Sequence, residues 1–216
     1  MKITILDRIL LLVTGVISAY QIAVGIDGFG RLPILSYTIS FGVLLIAALL
    51  MLILGLEVLD SPIVVIVSTI IPLSLATGLV WQHLPNFKVP YLIFAIAGLI
   101  TIIVTRTISM KNRLPLFILT IVHGIAGLTI FLLPLMLVLS GRMPPGFILI
   151  SIGGALMGLG GLLLALLIEY AVAPRIVARQ NLRLWHSLGA ALYVVQWLSA
   201  AVVLWPLAGR RGDTYP

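Results

Sequence analysis

Apolar residues run along this chain in seven long blocks separated by short polar punctuation. The blocks are Ile9–Ile26, Leu32–Leu56, Ile63–Trp81, Val89–Val104, Leu114–Leu139, Phe147–Ile168 and Leu184–Leu207. A hydrocarbon core of ~30 Å is crossed by about 20 residues of apolar helix. Six blocks meet that length, and the fourth meets it if it extends toward Ile108. The blocks are continuous rather than alternating, which predicts spanning helices and not the strands of a barrel. The breaks carry turn chemistry: Asp27-Gly28-Phe29-Gly30-Arg31, Asp60-Ser61-Pro62, Pro85-Asn86 and Pro144-Pro145-Gly146. Ser61 is placed to cap the third helix, with Pro62 at its first position. Connections this short make consecutive helices antiparallel neighbours. The expected fold is all-α: one transmembrane helical bundle of about seven helices over residues 1–216.

Composition points the same way. The 216 residues are 62% hydrophobic and 9% charged, with a mean hydropathy of +1.27. A soluble domain carries roughly 25% charged residues. This chain has too few polar groups to cover its surface in water, so lipid is its expected solvent. Cysteine is absent, which excludes disulfides, thiolate catalysis and Cys-ligated metal or iron–sulfur sites. No Walker, dinucleotide-binding or HExxH motif occurs. The net charge of +7 does not indicate nucleic acid, because the basic residues lie singly or in small groups between apolar blocks. Lys2 precedes the first block as in a signal peptide, but Asp7-Arg8 directly precedes its apolar core and no convincing small-x-small cleavage site follows, so that block is expected to be a retained helix.

Lys and Arg set the expected sidedness. With seven spans, the N-terminal side collects Lys2, Arg8, Arg106, Lys111, Arg113, Arg175, Arg179 and Arg183. The other side collects Arg31, Lys88, Arg142, Arg210 and Arg211. The excess predicts a cell-membrane protein with its N-terminus in the cytoplasm and its C-terminus outside. Trp81, Trp185 and Trp205 fall near block ends, as an aromatic belt would.

Ionisable groups are few. Asp7, Arg8, Glu57, Asp60, Arg106, Glu169 and Arg183 all fall near block ends on the N-terminal side, where they are expected to snorkel to the headgroups. Two histidines differ. His123 lies inside the fifth block and His186 opens the seventh. At ~1.5 Å per residue, His123 is about 13 Å below Leu114 and His186 a few Å below Leu184. A small residue follows each by one turn: Gly127 after His123, and Gly189 or Ala190 after His186. Such a clearing lets a flat macrocycle lie against the helix. Arg106, Arg113 and Arg183 are near enough in depth to neutralise propionates. These residues make a bis-histidine haem b constellation. The competing reading has His123 hydrogen-bonded to a neighbouring helix and His186 at the interface beside Trp185. His83 falls at the opposite boundary and is expected to be solvated. Glu169 and Tyr170 share the histidine layer and could relay protons or hold a quinone headgroup; an interfacial ion pair with Arg175 or Arg179 is the plainer alternative. Gly154 and Gly158 form a GxxxG step that admits a close helix contact, including one with another membrane subunit. Pro72 and Pro134 predict helix kinks.

The segments Leu119 to Gly141 around His123 and Asn181 to Gly209 around His186 resemble the haem-bearing helices of b-type membrane cytochromes, the cytochrome b561-like group in particular. The resemblance covers about a quarter of the chain. It implies haem b ligated by His123 and His186, and electron transfer as the activity. The histidines suffice for one haem within the membrane, whereas that group carries further pairs.

Three functions compete. The first is a redox subunit holding one haem b or a quinone between the fifth and seventh helices. The second is a cofactor-free accessory or scaffold subunit of a larger membrane complex, consistent with the short loops and scarce buried charge. The third is a small-solute transporter, disfavoured because no strongly polar path across mid-membrane is visible in the sequence.

Overall fold

The computed structural model describes residues 5–25, 29–55, 62–108 and 114–156. They form helices α1 (Ile5–Val24), α2 (Arg31–Leu54), α3 (Pro62–His83), α4 (Lys88–Thr107) and α5 (Leu114–Leu139). A 3-10 turn then leads into α6, which with that turn is described over Pro145–Leu156. No strand occurs among the described residues. Helices α1 to α5 are each long and apolar enough to cross a bilayer. The remainder of the sixth expected span and all of the seventh lie outside the described residues.

Helix limits follow local chemistry. Pro62 opens α3, where its missing N–H costs nothing. The fourth block does extend, to Thr107, and so reaches 20 residues. Helix α5 runs through Pro134 and ends at Gly141, whose φ of 69° puts it in the left-handed region. There the Arg142 N–H donates to the Leu137 carbonyl and the Gly141 N–H to that of Val138. This Schellman closure uses the one residue without a Cβ penalty.

Successive helices pack antiparallel, with α1 on α2, α2 on α3, and α3 against both α4 and α5. The starts of α1, α3 and α5 therefore share one face of the bundle, called the near face below. Glycines set the approaches. A Cβ on Gly78 of α3 would fall 2.5–2.9 Å from the Tyr37 ring of α2. A Cβ on Gly98 of α4 would lie 3.1–3.2 Å from the Val122 methyls of α5. Gly154 of α6 meets Ile130 and Phe131 of α5, at 3.0 Å from a side chain and 3.3 Å from backbone. Gly154 thus serves packing within its own chain, while Gly158 lies outside the described residues. Phe41, Leu44, Ala76, Leu79, Ile102 and Ala126 fill the space between α2 and α5. Across lipid-facing surfaces the large aliphatics point outward, as at Ile93, Ile96 and Ile100 of α4. With lipid as solvent this exposure is costless, and helix association rests on close packing.

Candidate functional site

His123 sits on the flank of the buried face of α5, one residue beyond Val122. It is half-buried. Its Nδ1 is enclosed beside the Leu119 carbonyl, one turn back, but falls short of hydrogen-bonding geometry. A small ring rotation would let Nδ1–H donate to that carbonyl. The carbonyl would then fix the tautomer that leaves Nε2 as the lone-pair atom. A Cβ at Gly124 or at Gly127 would meet nothing within 4 Å. Among the described residues, then, no neighbour packs on α5 at the turn beyond His123.

Arg106 lies on α4, and the α4–α5 register fixes its depth. Gly98 faces Val122, and Tyr91 faces Thr129. Continued toward the near face, the same register sets Arg106 level with Leu114. Nine residues then separate His123 from Arg106 in depth, about 13 Å at ~1.5 Å each. The Arg106 Nε is enclosed without a hydrogen-bond partner among the described residues. His186, Arg183 and Glu169, the other expected site residues, lie outside the described residues, as does Tyr170. Among the described residues no three His, Asp or Glu side chains gather as a metal site.

Two expectations are corrected. His83 is half-buried rather than fully solvated. Its ring stands edge-on to Phe147 at 5.5 Å between centroids, and its Nε2 is enclosed without a partner among the described residues. The start of α6 covers the end of α3 there, which a boundary read from one helix cannot reveal. Asp7 does not snorkel either. It is 5% exposed, because it shares a face with the residues that α1 turns inward.

That inward face was the main feature missed. It comprises Asp7, Leu11, Thr14, Gly15, Ser18 and Gln21. Its polar members extend over fourteen residues, about 21 Å of rise. Thr14 and Ser18 satisfy their hydroxyls by donating to carbonyls one turn back, those of Leu10 and Thr14. The recurrence of polar residues on one helical face at positions 7, 14, 18 and 21 was the available signal. A second missed pair is Tyr37 and Gln82. The Tyr37 hydroxyl donates to Gln82 Oε1 at 2.9 Å, and its ring lies on Gly78 one turn before Gln82. Trp81, placed at a helix end as expected, has Lys88 Nζ 5.9 Å from its ring centre, a cation–π contact.

Several long apolar helices with polar groups turned inward suggest a multi-pass membrane protein. No protein-family model, no curated protein and no solved structure matches this chain.

Proposed function

We propose that this chain is a membrane-bound redox subunit that holds one haem b, with His123 as one axial ligand and His186 as the other. The observation that carries the reading is the pairing on α5 of a half-buried imidazole with open space at Gly124 and Gly127. When bound, the haem supplies one-electron chemistry. The chain's own residues do the rest. After a small ring rotation, the Leu119 carbonyl would orient the His123 ring. The glycines leave the face beside that ring uncovered. Arg106, closer to the near face and with its Nε enclosed without a partner among the described residues, would supply positive charge toward the carboxylates of such a group. The Lys and Arg excess sets the near face in the cytoplasm. A quinone headgroup beside Glu169 fits the same layer.

A second reading is a cofactor-free accessory subunit. Helix α4 favours it, because only Ala95, Gly98, Ile102 and Thr105 of its 20 residues are buried. Its aliphatic face is free to meet lipid or another membrane subunit.

A visible spectrum of protein purified from haem-replete cells separates the two. Sharp b-type α and Soret bands after dithionite, lost in His123→Ala and in His186→Ala, are expected. A colourless preparation with retained fold overturns the redox reading and leaves the accessory one.

A further inference from the structure

Helices α1 and α2 part slightly on their lipid-facing side. The gap is a groove of about 220 Å³ lined by Leu11, Leu12, Gly15, Val16, Ala19, Leu45 and Leu49. It contains no polar side chain, and Leu12, Val16 and Leu49 are exposed along it. The space is below the ~300–1,000 Å³ of a drug-sized pocket and suits a slender apolar segment. Its length runs with α1 from Leu11 to Ala19, about 12 Å at ~1.5 Å per residue. Gly15 creates the opening, since a Cβ there would already touch Leu45 and Ala48 at 3.7 and 3.9 Å.

Arg8 stands at the near-face end of this groove. Positions 8, 12, 15 and 19 repeat at three- and four-residue steps, so Arg8 continues the face that lines it. Arg8 is exposed and makes no hydrogen bond or ion pair among the described residues. One helical turn, about 5.4 Å, separates it from the first groove residue on that face, Leu12. A cation thus sits one turn above an apolar furrow that runs toward the membrane centre. This sequence of chemistry, charge and then hydrocarbon along the membrane normal, is that of an anionic phospholipid.

We propose that the α1–α2 groove holds one acyl chain of an anionic phospholipid whose phosphate pairs with Arg8. The bilayer supplies the occupant, and the cation selects among its headgroups. This site is separate from the His123 site and does not depend on it.

The test uses the full chain reconstituted in an equal mixture of phosphatidylcholine and phosphatidylglycerol, then re-extracted in detergent. Native mass spectrometry reads the lipid that stays bound. One phospholipid per chain is expected, with phosphatidylglycerol enriched about fivefold, the contribution of one arginine near anionic lipid. Arg8→Gln, at an exposed position, should keep a bound lipid but lose the enrichment. Arg142→Gln, at the other end of the bundle, should keep it. Gly15→Leu should fill the groove and lose the lipid, with unfolding temperature measured alongside. No retained lipid in the wild type, equal retention of the two headgroups, or enrichment untouched by Arg8→Gln would each overturn the proposal. So would loss of enrichment in Arg142→Gln, or a folded Gly15→Leu that still carries lipid.

Discussion

His83 and His123 sit on helices that run in the same direction, yet their surroundings differ in kind. At the end of α3, His83 is closed over by Phe147, and its Nε2 is enclosed. Within α5, His123 has its Nδ1 enclosed instead, beside two glycines that leave space. An imidazole binds a metal or a donor through its tip, so enclosure of the tip and enclosure of the root have opposite consequences. His83 reads as a packing residue that bears an unpaired nitrogen. His123 reads as a half-buried residue with its Nδ1 enclosed beside the Leu119 carbonyl and, among the described residues, with no neighbour packed at Gly124 or Gly127. The two histidines thus differ in which ring nitrogen is enclosed and in what lies beside the ring, differences that position along a helix does not give.

The sharpest way to break this contrast is to remove each ring in turn. His123→Ala should abolish the reduced b-type spectrum, whereas His83→Ala should leave it unchanged in shape and height. Equal loss of absorbance in both variants would erase the distinction. Gly127→Leu tests the same contrast through space instead of ligation. Filling the clearing should prevent haem binding while leaving the unfolding temperature near that of the wild type, since the added atoms enter open space.

Packing variants should have smaller but measurable effects on stability. Gly78→Ala forces a Cβ into the Tyr37 ring and should destabilise by about 1–3 kcal/mol, the usual range for overpacking. Thermal unfolding in detergent reads this, and an unchanged midpoint would contradict the close approach of α2 and α3. His83→Ala removes the edge-on contact with Phe147, worth ~0.5–1.5 kcal/mol beyond burial. Part of that loss is offset, because an unpaired buried nitrogen goes with it. The smallest effect is expected from Tyr37→Phe, which removes the hydrogen bond to Gln82. Such bonds within membranes average ~0.6 kcal/mol, so a shift of a degree or two is the expected outcome. A large drop would show that Tyr37 and Gln82 hold more than each other.

Much of the architecture was legible one helix at a time. Block length foretold the helices, because a spanning segment must satisfy its own backbone hydrogen bonds. The helix limits at Pro62 and Gly141 were marked by residues whose φ or missing N–H suits a terminus. Less legible were the environments that need two helices. Asp7 and His83 both lie near helix ends, and end position alone predicted solvent for each. Asp7 is buried by the direction in which α1 turns, and His83 is half-buried against Phe147.

The sequence by itself determined that the chain is helical and lipid-solvated, because hydrophobic length and backbone satisfaction are properties of a single segment. It also determined which residue types are scarce enough to carry chemistry. Only the tertiary structure decided which of these are enclosed, which glycines bring helices together and which leave room. Gly78, Gly98 and Gly154 meet a neighbour, whereas Gly124 and Gly127 meet none among the described residues. Nothing in the identity of a glycine separates the two groups. The separation comes from helix azimuth and register, which are fixed by contacts between segments distant in the chain.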